Sequence, residues 1–299
     1  MVRELSAETP LFPGFRCLDV ETPQTVIRLR TGGSGPPLLL LHGYPQTHVL
    51  WHRLAALLRQ RFTLVCADLR GYGDSGKPPS DESHLPYSKR AMASDMAAVM
   101  GALGHERFRV AGHDRGGRVA HRLALDHPDR VSRVAVLDIA PTREMYRGTT
   151  EAFARAYWHW FFLIQPAPFP ERMIGADPRA YWLAKCGSGS AGLEPFAEEA
   201  LSEYLRCFAD PAVIHASCED YRAAAGIDLL HDDQDGGRKL RQPLLALWGE
   251  HGAVHRCFDP LALWRERAED VRGRPLPGGH YLAEEVPELV AEEFLAFFS

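Results

Sequence analysis

Gly112-His113-Asp114-Arg115-Gly116 is the stretch of sequence on which the fold prediction rests. The apolar run 108–112 predicts a strand before it, and residues 115–126 predict a helix after it. A strand, a tight turn with a glycine on each side of one polar residue, and a helix together form a nucleophile elbow. The residue in the turn projects at the helix N-terminus, where backbone N–H groups face developing negative charge. The pattern therefore predicts that Asp114 is a nucleophile.

A carboxylate in this turn favours a different reaction from the usual serine. Serine with a base attacks acyl carbon, whereas an ionised carboxylate can attack a saturated carbon and displace a leaving group. The product would be an ester of Asp114, which water must then hydrolyse at the carboxyl carbon. The competing interpretation is a glycine-rich turn with a helix-capping aspartate. His42-Gly43 upstream and a histidine near the end of the chain argue against it.

The water step needs a base and an oxyanion hole. His280 lies in Pro277-Gly278-Gly279-His280-Tyr281, just before the last predicted helix, and it follows the nucleophile in the chain order typical of this elbow. We therefore expect His280 to be the base. The backbone N–H groups of Tyr44 and Arg115 are the expected oxyanion-hole donors.

Two residues compete for the acid that would orient His280. The common position is the loop after a late strand, but residues 248–253 contain no aspartate, and Glu250 is the acidic residue there. Asp138 ends the predicted strand 131–139 and is the alternative position. A capping or salt-bridged aspartate at a strand end is the structural alternative for Asp138.

The rest of the chain alternates short apolar runs with helix-like segments, which is the pattern of an α/β protein. Residues 142–225 contain no strand pattern, are rich in aromatic residues and are interrupted by prolines. We therefore predict an α/β-hydrolase fold, in which helices flank a mostly parallel central sheet. Residues 1–141 and 225–299 are expected to form the core, and residues 142–224 an inserted helical cap.

Composition excludes several function classes. The 299 residues carry a net charge of -5, which provides no basic surface for nucleic acid or an anionic membrane. That charge would not attract anionic substrates either, so any anion site must be built locally. The six cysteines have no regular spacing, and neither a signal peptide nor a membrane-spanning run is apparent, which predicts a cytoplasmic protein. The sequence contains no metal-ligand spacing and no dinucleotide motif, so we expect neither a metal nor another cofactor.

Two arginines occupy the first turn of the helix after Asp114. Cations at Arg115 and Arg118 oppose the helix dipole, and their spacing puts like charges on one face. Paired guanidinium groups are well matched to a carboxylate on a substrate. The alternative is that both arginines form salt bridges within the protein.

The sequence from Gly112 to Val119, GHDRGGRV, resembles the signature of the fluoroacetate dehalogenases. The similarity continues over most of the chain, through the segments His42-Gly43-Tyr44-Pro45-Gln46, Leu137-Asp138-Ile139 and Cys218-Glu219-Asp220-Tyr221-Arg222, to His280. The resemblance implies these roles: Asp114 as nucleophile, Arg115 and Arg118 as ligands of the substrate carboxylate, Asp138 rather than Glu250 as acid, and His280 as base.

The same resemblance implies a halide site in the predicted cap. Within Tyr157-Trp158-His159-Trp160-Phe161, His159 and Trp160 align with the fluoride-binding pair, and Tyr221 is the third member. Fluoride is a poor leaving group that needs strong hydrogen-bond donors, which imidazole, indole and phenol groups provide. The aromatic core stripe of a helix is the alternative interpretation.

Three positions differ from the family pattern. Gly189 replaces a bulky cap tryptophan, Ala253 replaces an aliphatic residue of the late loop, and Met145 replaces a cap-hinge tyrosine. These differences leave the chemistry intact. They predict an enlarged pocket with less preference for the smallest substrate.

The resemblance therefore predicts a cofactor-independent, homodimeric hydrolase that uses water to remove halide from short 2-haloacids such as fluoroacetate. An epoxide or haloalkane hydrolase with the same nucleophile is the first rival, but it would need paired cap tyrosines or a halide-binding residue in place of Arg115. The second rival is a ligand-binding protein of the same fold that lacks catalysis. The presence of Asp114, Asp138 and His280 argues against it.

Overall fold

The computed structural model describes residues 1–6, 9–188 and 191–299, and its centre is a nine-stranded sheet. The strands are β1 (Val2–Leu5), β2 (Arg16–Glu21), β3 (Val26–Gly33), β4 (Pro37–Leu41), β5 (Thr63–Ala67), β6 (Phe108–His113), β7 (Val131–Leu137), β8 (Leu244–Gly249) and β9 (Val271–Leu276). Their spatial order is β1-β2-β3-β5-β4-β6-β7-β8-β9. Strands β1, β2, β3 and β5 pair antiparallel in that order, and every pair from β5–β4 to β8–β9 is parallel. The predicted mostly parallel sheet is confirmed.

Helices connect the parallel strands. They are α1 (His52–Leu58), α2 (Lys89–Ala102), α3 (Arg115–Asp126), α4 (Thr142–Arg147), α5 (Glu151–Ala156), α6 (Trp158–Leu163), α7 (Phe169–Gly175), α8 (Pro178–Gly187), α9 (Glu198–Phe208), α10 (Pro211–Ala225), α11 (Ile227–Asp235), α12 (Ala253–Cys257), α13 (Pro260–Arg265), α14 (Leu282–Glu285) and α15 (Pro287–Phe298). Helices α4 to α11 all lie between β7 and β8 in the chain. The segment predicted to be helical is therefore helical in its described part.

The central strands are buried because helices cover the sheet. Residues 38–41 of β4 are fully buried, and every residue of β8 is buried. Such strands are near-continuous apolar runs, as expected for parallel strands. The carboxyl ends of β4, β6 and β7 lead directly to His42, Asp114 and Asp138. This edge is where open α/β sheets bind their ligands.

The sequence pattern did not predict helices α1, α12, α13 and α14 or strands β1, β2 and β9. All six cysteines are free thiols in the structure. Within the described ranges, every helix is too short or too polar to cross a bilayer.

Candidate active site

Asp114 occupies the sharp turn between β6 and α3. Its backbone has φ 46° and ψ −113°, a conformation that costs a non-glycine residue strain energy. The two glycines beside Asp114 lie so close to neighbouring backbone that neither position has room for a side chain. A Cβ at Gly112 would collide with the Gly116 backbone, and a Cβ at Gly116 would collide with the Leu41 carbonyl. These glycines hold the buried Asp114 carboxylate at the start of α3.

The two oxygens of Asp114 have different surroundings. The Tyr44 N–H donates to Oδ2 at 3.2 Å, whereas no described residue donates a hydrogen bond to Oδ1. Burial alone raises the pKa of the carboxyl, but the charges of His280, Arg118 and Arg115 outweigh it, so the net pKa lies below the ordinary value. Asp114 is therefore ionised at neutral pH, with Oδ1 available for attack and Oδ2 at an oxyanion-hole donor.

His280 lies against Asp138. The distance from His280 Nδ1 to Asp138 Oδ2 is 2.6 Å, and the Gly249 N–H donates to Asp138 Oδ1 at 3.0 Å. Asp138 also has a positive φ of 49°. Glu250 lies elsewhere, with its exposed carboxylate 3.5 Å from His251. Of the two candidate acids, the structure therefore brings Asp138 to His280.

Two side chains that the sequence analysis missed hold the His280 loop. The Glu285 carboxylate accepts hydrogen bonds from the amides on both sides of the histidine, Gly279 N at 2.6 Å and Tyr281 N at 2.9 Å. His113 Nε2 lies 2.7 Å from the His280 carbonyl oxygen. A glutamate five residues after a histidine has no distinctive sequence signal, so only the fold reveals its role.

Arg115 is fully buried and paired within the protein. Its Nε donates to Asp220 Oδ2 at 2.9 Å, and its Nη2 donates to Asp220 Oδ1 at 2.7 Å. The Lys89 ammonium also contacts Asp220, whose pKa is held well below its usual range by these two cations despite its burial. Only Nη1 of Arg115 lacks a partner among the described residues. The two arginines therefore differ in the structure, because Asp220 already occupies the forked edge of Arg115.

Arg118 differs from Arg115 in which edge of its guanidinium group is hydrogen-bonded. Its Nη1 donates to the Ala140 carbonyl at 3.0 Å and to Thr142 Oγ1 at 2.9 Å. Nε has no partner among the described residues, and Nη2 contacts only the Met145 sulfur, at 3.2 Å. A thioether is a weak acceptor. The Nε–Nη2 edge that can bind a carboxylate with two parallel bonds is therefore not paired with any described oxygen acceptor.

The three predicted halide ligands meet beside these arginines. The Tyr221 ring lies 5.8 Å from the His159 ring and 6.3 Å from the Trp160 ring, measured between centroids. The Arg115 guanidinium lies 4.1 Å from the Tyr221 centroid, and that of Arg118 lies 4.8 Å from the Trp160 centroid. The structure thus brings all five side chains into one cluster.

The polar atoms of these rings are buried without partners. Tyr221 Oη, Trp160 Nε1 and His159 Nδ1 make no hydrogen bond with a described residue. Burial raises the pKa of Tyr221 well above its ordinary value, so its O–H remains a donor. Burial, followed by the charges of Lys185 and His280, lowers the pKa of His159 well below its ordinary value. Unpaired buried polar atoms are costly, so the presence of three of them in one cluster beside two arginines indicates an anion-binding site.

A pocket of about 380 Å³ opens onto Asp114 and His280. Ala253 lines it, as does Tyr157, which the sequence analysis did not select as a site residue. Met145 instead contacts Arg118, away from this pocket. Gly189 lies outside the described residues, so its predicted contribution to pocket size remains a prediction.

A buried glutamate next to this site predicts pH-dependent stability. Burial raises the pKa of Glu284 to about 8, although the Tyr204 O–H donates to its carboxyl. The folded protein therefore keeps a proton that the unfolded chain has lost between pH 4.5 and about 8, and stability falls as pH rises through that range. We expect Glu284→Gln to make urea-unfolding free energies less pH-dependent between about pH 5 and about pH 8.5. An unchanged pH profile would mean that Glu284 is ionised in the folded state.

Comparisons with known proteins place the chain among relatives that match it along its length. A family model described as alpha/beta hydrolase fold matches residues 36–285. A fluoroacetate dehalogenase from a Burkholderia species is 48% identical over 97% of this chain and 95% of that protein. A soluble epoxide hydrolase from Corynebacterium sp. (strain C12) is 34% identical over 90% and 92%, respectively. The solved structure of ALR0039, a proposed alpha/beta hydrolase from Nostoc sp PCC 7120, has a TM-score of 0.93 and 56% identity, covering 96% of this chain and 99% of that one.

Proposed function

The chain belongs to the α/β-hydrolase fold family and, within it, to the group of the fluoroacetate dehalogenases, and on that basis we propose that it hydrolyses the carbon–halogen bond of short 2-haloacids such as fluoroacetate. One observation carries the choice of substrate class. Beside an ionised carboxylate nucleophile, the site buries Arg118 Nε and polar atoms of Tyr221, Trp160 and His159 without partners among the described residues, and Arg118 Nη2 contacts only the Met145 sulfur. Such a site is suited to a carboxylate and a departing halide, both of which are anionic.

The first step is a displacement at the α-carbon. Asp114 Oδ1 forms a carbon–oxygen bond there, and the halide leaves with the electron pair of the carbon–halogen bond, inverting the configuration. Arg118 binds the substrate carboxylate by its forked edge, and Arg115 adds its single unpaired nitrogen. The halide receives hydrogen bonds from His159, Trp160 and Tyr221, which stabilise charge as it develops.

The second step hydrolyses the ester. His280, oriented by Asp138, removes a proton from water, and the resulting hydroxide attacks the carboxyl carbon of Asp114. The oxyanion forms on the oxygen that the Tyr44 N–H already contacts, and the Arg115 N–H, which has no i−4 partner at the start of α3, is the second donor. Collapse of this intermediate breaks the acyl–oxygen bond, His280 returns its proton to the departing alkoxide oxygen, and the 2-hydroxyacid leaves with Asp114 again a carboxylate.

Arg118 provides the sharpest test of the substrate class. We expect Arg118→Leu to lower kcat/KM for chloroacetate by roughly 2–5 kcal/mol, because a buried carboxylate would lose its charge-assisted bonds. Chloroacetamide has no carboxylate, so its turnover should fall far less. Halide release from both substrates, measured by ion chromatography, provides the comparison. Equal losses would mean that Arg118 is structural and that the substrate is neutral, as in an epoxide or haloalkane hydrolase.

Arg115 is the matched control. Arg115→Leu leaves the buried Asp220 carboxylate without its forked partner, so we expect it to lower the free energy of unfolding by roughly 3–5 kcal/mol. Among the described residues, no carboxylate lies at bonding distance from Arg118. Its loss should therefore reduce activity with a much smaller effect on unfolding.

The remaining assignments belong to the same proposal. We propose that residues 142–224 act as a helical cap over a core of residues 1–141 and 225–299. We also propose that the protein is a cytoplasmic homodimer, as the resemblance and the composition imply. Sedimentation at two protein concentrations tests the dimer.

A further inference from the structure

The pocket that opens onto Asp114 has a cationic outer part. Arg155, Lys185 and Arg256 line it, and Asp114 is the one acidic residue among its described lining residues. The chain as a whole has 34 basic and 39 acidic residues, so this surface opposes the overall charge. Local clusters of one sign focus the field and attract ligands of the opposite sign.

Two of these cations have no acidic partner. Lys185 is half-buried on α8; its ammonium forms neither a hydrogen bond nor an ion pair with a described residue, and its charge acts on His159. Arg256 donates to the His251 carbonyl at 2.8 Å and pairs with no described carboxylate. Arg155 differs because its Nε lies 2.8 Å from Glu151 Oε1. Lys185 and Arg256 are therefore the cations available to a ligand.

The pocket borders the buried cluster, and His159 belongs to both. Arg115, Arg118, Trp160 and Tyr221 are absent from the described pocket lining, whereas His280 and Ala253 belong to it. In the proposed reaction, the carboxylate and the halogen of the substrate face the buried cluster. One of the two remaining substituents of the α-carbon then faces the pocket. A volume of about 380 Å³ is much larger than the hydrogen atom that a haloacetate has at this position.

We propose that the substrate is a 2-haloacid whose α-substituent ends in a second anionic group, which Lys185 and Arg256 bind. The inference rests on the proposed dehalogenase function and narrows its substrate class. A 2-halodicarboxylate such as 2-chlorosuccinate has this chemistry. A haloacetate fills only the inner part of the site and remains a smaller substrate of the same enzyme.

The test compares three acids that share the reacting group. Chloroacetate has no α-substituent, 2-chlorobutyrate has an uncharged one, and 2-chlorosuccinate has an anionic one of similar length. For the unaltered protein we expect kcat/KM for 2-chlorosuccinate to exceed that for 2-chlorobutyrate by about tenfold or more, since a charge-assisted pair contributes at least that much. Succinate should inhibit competitively at lower concentration than butyrate.

Variants of Lys185 and Arg256 test whether these two cations cause the preference for 2-chlorosuccinate. Lys185→Met combined with Arg256→Leu should remove the preference for 2-chlorosuccinate while changing 2-chlorobutyrate and chloroacetate far less. Arg155→Leu is the control, because its guanidinium is already paired, and it should preserve the preference. Thermal unfolding verifies that each variant is folded.

The outcomes separate the two proposals. Halide release from chloroacetate and 2-chlorobutyrate without a preference for 2-chlorosuccinate overturns this inference and leaves the dehalogenase function intact. Equal losses on all three acids in the double variant also overturn it, since they indicate general attraction of anions. No halide from any of the acids overturns the dehalogenase function and this inference together.

Discussion

The Asp114→Asn variant is expected to release no halide from any 2-haloacid. An amide is not an ionised nucleophile, and no other described carboxylate lines the pocket. The substitution preserves the size of the side chain, and its amide can still accept from the Tyr44 N–H. The expected loss is therefore chemical rather than structural. Halide measured soon after purification, before the asparagine can revert by deamidation, gives the result.

The thermal unfolding of this variant is the accompanying control. Removing the negative charge leaves Arg118 and His280 facing a neutral group, so a small change in stability is expected. Halide release at an appreciable fraction of the original rate, from folded protein, would show that Asp114 is not the nucleophile. A direct attack by water activated by His280 would then be the better mechanism.

The His280→Asn variant is expected to stop after one displacement. The first step needs only the ionised Asp114, whereas the second needs a base for water, and a positioned base contributes roughly 10²–10⁴-fold. Rapid mixing should therefore show a burst of halide close to one equivalent per active site, followed by almost no turnover. His215→Asn is the matched control, because His215 is exposed on α10 against Glu171, and it should turn over normally.

The burst also separates the rival functions. A ligand-binding protein without catalysis releases no halide in the burst or afterwards. Steady release without a burst would mean that the histidine acts before or during displacement. Either result would contradict the two-step scheme.

Local sequence was sufficient to predict the centre of the fold. The sequence pattern predicts a strand over 37–41 and helices over 115–126 and 287–298, and β4, α3 and α15 have these bounds in the structure. These elements have strong local signals: continuous aliphatic residues in β4 and a glycine-bounded turn before α3. Strand β9 was missed because Gly273 and Pro275 interrupt it, and both residues are unfavourable within strands. Strand β1 was missed because its residues are exposed or half-buried.

A site residue could be predicted from the sequence where its residue type and its position in a motif together indicate a single chemical role. Asp114 in its turn and His280 before the last helix are of this kind. The Arg115–Asp220 ion pair could not be predicted, since its members are 105 positions apart and either residue could pair with another charged group. The motif around Tyr221 led to the prediction of its phenol as a halide ligand. It did not indicate that the neighbouring Asp220 determines which edge of Arg115 remains unpaired. Only the three-dimensional structure distinguishes Arg118 from Arg115.

Intact-mass spectrometry of the His280→Asn protein, incubated with chloroacetate, tests the central claim most directly. We expect the protein to gain the mass of one carboxymethyl group, joined through an ester, and peptide mapping to place that group on Asp114. Halide release should match the fraction of protein modified. An unmodified protein that continues to release halide would contradict the covalent mechanism.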